Sequence, residues 1–110
     1  MTPIEELATQ LQGWQATKTN EELAAIIERW EGREPAGAAL LIEMQHPGAV
    51  DVRPYVEWIA AGRKPHGPSI KLPRRKERQV TPNTIRQYYE IVHVFDVSQT
   101  TELADQLPGE

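Results

Sequence analysis

The stretch Tyr88-Tyr-Glu-Ile-Val-His-Val-Phe-Asp-Val-Ser-Gln-Thr100 constrains this chain more than any other part of it. Glu90 to Asp96 reads as one buried β-strand, rich in β-branched and aromatic side chains, and it breaks into a polar Ser-Gln-Thr turn. A buried strand needs paired neighbours along its edges and an apolar layer over its face. Upstream, Ser69-Ile-Lys-Leu72 alternates polar and apolar, the period-2 signal of a half-exposed strand, and Pro73 is expected to close it. Residues 74–87 then read as a polar, basic loop joining the two strands. The result is a β-hairpin with a long basic loop at its tip, a common place for ligand contact.

Helices supply the covering layer. Thr2-Pro3-Ile4-Glu5 has capping-box spacing with proline at the first helical position, and Ile4, Leu7, Leu11 and Trp14 follow on one face. Thr19 and Glu22 repeat the pattern ahead of Leu23, Ile26, Ile27 and Trp30, with Gly32 as the stop. Trp14 and Trp30 are both expected in the core. A third helix is expected from about Ala36 to Gln45, entered by Pro35 and ended by His46-Pro47-Gly48. Ala49 to Val52 reads as a short strand, and Pro54 starts a fourth helix, Tyr55 to Ala61, with Gly62 just past its end. A last helical turn is expected around Thr101 to Gln106. Four helices and then a small, mostly antiparallel sheet make a single α+β domain over residues 1–110.

With 39% hydrophobic and 25% charged residues, the composition is that of an ordinary globular core. Cysteine is absent, which excludes disulfides, thiolate metal sites and a cysteine nucleophile. No apolar run approaches the ~18 residues of a membrane span, and no charged, then apolar, opening marks a secretory signal. A cytoplasmic protein without membrane contact is expected. The formal charge of −4 argues against nucleic acid, but its distribution argues the other way. Gly62 to Gln79 holds seven Lys or Arg against Glu77 alone, a local +6, while the remainder carries five basic and fifteen acidic residues, a local −10. One segment can therefore attract phosphate while the rest repels it.

Catalytic and metal chemistry find little to build on. His46, His66 and His93 stand twenty or more residues apart, and there is no His-Glu-x-x-His, so no metal or cofactor is expected. Glu5 and Glu6, Glu21 and Glu22, and Glu28 and Glu31 fall on polar helix faces and read as solvated. No nucleophile motif or Gly-rich phosphate loop appears, and no enzyme is expected. His93 reads as a structural histidine and His66 as an exposed turn residue. Asp96, a carboxylate ending a buried strand, is expected to hydrogen-bond into the following turn, to Ser98 or backbone N–H groups. Tyr55 and Trp58 lie one helical turn apart, so one is expected buried and the other exposed. Tyr88 and Tyr89 point to opposite faces, one of them a candidate stacking platform, with cross-strand packing as the competing duty.

Five blocks carry a likeness to a known family: Leu40-Leu-Ile42 with Gln45, Tyr55 with Trp58, Gly62-Arg63, Ile70 with Pro73, and Val94-Phe-Asp-Val-Ser-Gln-Thr100. On these residues the chain resembles the N-terminal domain of ArdC-type antirestriction proteins, from about Glu21 to Thr100. The last block is the most specific. The resemblance implies a mixed α/β module that binds single-stranded DNA, in the service of a phage or mobile element. Larger members add a zinc-metalloprotease-like domain, which has no counterpart here. The Gly-Arg element is followed by Lys64-Pro-His-Gly-Pro-Ser69, shorter and poorer in lysine than in the family, with Arg74-Arg-Lys-Glu-Arg78 nearby.

Charge and resemblance together lead to the expectation of a non-catalytic single-stranded DNA-binding module. Arg63, Lys64, Lys71, Arg74, Arg75, Lys76 and Arg78 would hold phosphates, and Tyr55, Tyr88 or Tyr89 would stack bases. The alternative is a protein–protein interaction module whose acidic helical face binds a host protein or mimics DNA.

Overall fold

In the computed structural model, which describes residues 2–103, the two N-terminal helices begin on capping boxes. For α1 (Pro3–Gln15), Thr2 Oγ1 accepts the Glu5 N–H at 3.1 Å and donates to the Glu5 carboxylate at 3.0 Å. For α2 (Asn20–Arg29), the Thr19 N–H donates to Glu22 at 2.9 Å and the Glu22 N–H to Thr19 Oγ1 at 3.1 Å. The bond from the Thr19 backbone draws the Glu22 carboxyl below its ordinary value. Each such cap is worth about 1 kcal/mol. Leu7 and Trp30 are the buried anchors of this pair, with Leu11 and Ile26 packed beside them. Trp14, expected in the core, is only half-buried: it lines an open groove with Ile26 and Pro47, and the Lys18 ammonium stands 5.4 Å over its ring.

The third helix, α3 (Ala36–Gln45), buries Ala39, Leu40, Leu41 and Ile42 in succession. A helix apolar all round must lie in the middle, and α3 packs against α1, α2 and the sheet, with an Arg29–Glu43 ion pair tying it to α2. The sheet is antiparallel, in the order β1 (Val52–Pro54), β4 (Thr84–Asp96), β3 (Ile70–Thr81). Chain direction changes directly from β1 into α4 (Tyr55–Ala60). There Trp58 is buried and donates its indole N–H to the Phe95 carbonyl at 2.8 Å. Tyr55 stays exposed and meets the Phe95 ring edge-on at 6.4 Å, so the expected division between this pair holds.

Several expectations about the second half are corrected. A two-stranded sheet pairs β2 (Arg63–Pro65) with β5 (Thr100–Glu102), so Thr101 and Glu102 are strand, not helical turn; Leu103 is 3-10 helical, and residues 104–106 of that expected turn lie outside the described residues. Its partner is more than thirty residues upstream and invisible to local pattern. The second correction concerns the basic segment. The expected loop at 74–87 is nearly all strand: β3 runs through Pro73 to Thr81, β4 starts at Thr84, and only Pro82-Asn83 form the turn.

Pro73 does not stop β3 because β3 is an edge. The Gln45 side chain caps Lys71 from outside, accepting its N–H at 2.8 Å and donating to its carbonyl at 2.8 Å. Lys71 therefore turns its backbone polar groups away from β4, and Pro73, two residues on, has the same orientation. Its missing N–H removes no ladder bond. Only the root of the hairpin is buried, at Ile70, Leu72, Val94 and Asp96. Every residue from 77 to 90 is exposed, and so is His93, so the expected buried strand Glu90–Asp96 is buried only toward its end. His93 is nonetheless satisfied, its Nδ1 2.6 Å from Ser69 Oγ.

Candidate nucleic-acid interface

Register sorts the hairpin's side chains onto two faces. Beyond Ile70, Leu72 and Val94, the core-side face continues outward with Arg74 opposite Glu90, Lys76 opposite Tyr88 and Arg78 opposite Arg86. The other face carries Lys71 opposite His93, Arg75 opposite Tyr89, Glu77 opposite Gln87 and Gln79 opposite Ile85. Among the described residues, Arg75, Lys76, Arg78 and Arg86 enter no ion pair. Arg78 and Arg86 are like charges directly across a ladder, a disfavoured arrangement with no compensating carboxylate. Tyr88 and Tyr89 are 42% and 63% exposed on opposite faces, each across from a cation. A two-stranded ribbon with both faces in water is marginal on its own, and in this one every residue from 77 to 90 is exposed.

The other residues expected at the site are placed differently. Arg63 lies in β2, half-buried, its guanidinium donating to Thr100 Oγ1 at 2.6 Å and to the Thr100 carbonyl at 3.3 Å, with Glu102 at 3.8 Å. Those bonds fix the small second sheet and leave Arg63 little to offer phosphate. Lys64 is exposed on the same short strand, apart from the ribbon. Arg74 is held by Glu34, with both carboxylate oxygens within 3.2 Å of one guanidinium nitrogen. Lys71 is exposed at the root. The ribbon thus gathers Arg75, Lys76, Arg78, Tyr88 and Tyr89 and adds Arg86. Arg86 falls outside the basic run and becomes visible only through the hairpin register that sets it against Arg78.

The Asp96 corner is built differently. Asp96 Oδ1 accepts the N–H groups of Val50 and Asp51 at 2.8 and 3.0 Å, and Oδ2 accepts the Ser98 N–H at 3.0 Å and hydroxyl at 2.6 Å. Burial alone would raise this carboxyl, but the bonds from Ser98, Asp51 and Val50 outweigh it and hold Asp96 below the ordinary carboxylate range. Gln99 closes the 3-10 turn Val97–Gln99 by accepting the Asp96 N–H at 3.0 Å and donating to the Pro68 carbonyl at 2.7 Å. The expected bond into the turn is therefore present, with two more from the segment before β1. His46 Nε2 stands 2.9 Å from Ser98 Oγ. Because Ser98 directs its proton to Asp96, His46 donates to the hydroxyl and does not receive from it, the reverse of a nucleophile–base pair. Among the described residues no three metal-ligating side chains converge, and no helix is long and apolar enough to cross a membrane. No protein-family model, curated protein or solved structure matches the chain.

Proposed function

We propose that the protein is a non-catalytic binder of single-stranded DNA that uses the β3–β4 ribbon as its contact element. The observation that carries this reading is the set of four uncompensated cations, Arg75, Lys76, Arg78 and Arg86, on a ribbon exposed on both faces. Phosphates lie along these cations, and bases stack on Tyr88 and Tyr89. Such a site binds through counterion release, which on single strands gives a log–log salt slope of about 0.7 per phosphate. Four contacts predict a slope of about −3, so affinity falls about 50-fold between roughly 50 and 200 mM salt. The resemblance adds an antirestriction role for a phage or mobile element in the cytoplasm.

Anisotropy titration of a labelled single strand across that salt range tests this reading. Salt-sensitive binding that a duplex of equal length does not match supports it; absence of salt-sensitive binding at the low end, or preference for the duplex, contradicts it. A second reading has its own observation. Glu6, Glu21, Glu28 and Glu31 on or just beyond α1 and α2 are exposed and unpaired among the described residues. They form the acidic face of a protein-interaction module. Recovery of one stoichiometric protein partner, with no oligonucleotide bound, selects it.

A further inference from the structure

Where the ribbon leaves the helical layer, its core-side face opens into a groove of about 470 Å3. Its floor is apolar, made by Val92 and Val94 of β4 with Val52 and Pro54 of β1. Arg74, Arg75 and Lys76 of β3 give it a cationic rim, where Glu34 is held against Arg74, and Glu57 of α4 lines it as well. A pocket of this size, with an apolar floor and a few polar groups on its rim, suits one flat small-molecule-sized group. The cationic rim is continuous with the ribbon's phosphate track, which decides what kind of group arrives there: one base of the strand whose backbone is held by Lys76 and Arg78, both on this face. An acidic peptide, the other ligand a cationic rim attracts, would bring its carboxylates against Glu34 and Glu57.

We infer that this groove receives a nucleobase and that Glu34 and Glu57 select bases bearing an exocyclic amine over thymine. The inference rests on the single-strand reading above and adds a base preference to it. A carboxylate only accepts hydrogen bonds. Cytosine presents its N4 amine and adenine its N6 amine as donors, whereas thymine presents a carbonyl at the corresponding position and is repelled. Glu34 is already bonded to Arg74 through both oxygens, but each oxygen retains acceptor capacity. The Glu57 carboxylate accepts no hydrogen bond among the described residues and lies exposed on α4, with the Arg53 charge near it and room for a new donor.

The test compares equal-length oligo-dC, oligo-dA and oligo-dT on the full chain, each against wild type, Glu57→Ala and Glu34→Ala/Glu57→Ala. Wild type is expected to bind oligo-dC and oligo-dA about tenfold more tightly than oligo-dT, the scale of one good carboxylate–base contact. Glu57→Ala, an exposed site where folding is insensitive, narrows that ratio, and the double variant brings it close to one without weakening oligo-dT. Equal wild-type affinity for all three, with salt-sensitive binding intact, overturns the base preference and leaves the single-strand reading standing. A ratio that neither variant changes shows that the groove does not read the base and overturns the inference. Absence of binding to any oligonucleotide overturns both.

Discussion

The two ends of β4 are a study in contrast. At its C-terminal end Asp96 is 2% exposed and accepts four hydrogen bonds, with Phe95 bonded to Trp58 beside it. At its N-terminal end Arg86, Tyr88 and Tyr89 are exposed, paired across the ladder with Arg78, Lys76 and Arg75 of β3. One strand therefore serves two purposes in sequence: its last residues close the fold and its first residues project beyond it. Damage at the corner should cost stability, and damage on the ribbon should cost binding. That separation makes the account breakable, because an effect appearing at the wrong end contradicts it.

The largest effect is expected at the corner. Asp96→Ala leaves the donors of Val50, Asp51 and Ser98 without their acceptor in a buried site and should lower stability by about 3 kcal/mol or more, measurable by urea denaturation. Next is the triple reversal Arg75→Glu/Lys76→Glu/Arg78→Glu. Single-strand affinity should fall at least 100-fold at low salt, since three attractive contacts become repulsive, while stability stays within about 0.5 kcal/mol. Arg74 is left in place because its loss would strand Glu34 and confuse the two ends. Tyr89→Ala, the more exposed of the two tyrosines, should weaken single-strand binding about tenfold with little change in melting temperature.

Acid should separate the ends again. The folded-state carboxyl of Asp96 is depressed, so its contribution to stability is complete above the unfolded value of about 4. It is lost as pH falls from there through the lower folded value. Wild-type stability should drop across that window, and the drop should be smaller in Asp96→Ala. The smallest effect expected is Arg86→Ala, a reduction of about 0.7 in the salt slope with affinity for all single-strand sequences lowered in parallel.

Much of the helical half was legible because its signals are local. Thr2 with Glu5 and Thr19 with Glu22 are three residues apart, and Pro35 and Pro54 announce the helices that follow them. Asp96 was legible for the same reason, its turn being the next three residues. The ribbon was not. A strand exposed on both faces has no period-2 alternation to display, so Arg74 to Gln87 has the composition of a loop. Pro73 looks like an end unless β3 is known to be an edge, and that is a property of the sheet order. The same limit hid the β2–β5 pairing and with it the internal duty of Arg63, a cation that sequence counts like any other. Net local charge marked the basic segment, but only the register and the neighbouring carboxylates separate Arg75, Lys76, Arg78 and Arg86 from Arg63 and Arg74.

Amide chemical-shift mapping during titration with a single-stranded oligonucleotide tests the central claim most directly. The ribbon account predicts that shifts concentrate between Arg75 and Glu90 and reach α4 beside the groove, while the amides of Asp96 to Thr100 and the outer faces of α1 and α2 stay in place. Shifts centred on the acidic helices, or a spectrum unchanged at saturating oligonucleotide, would contradict it.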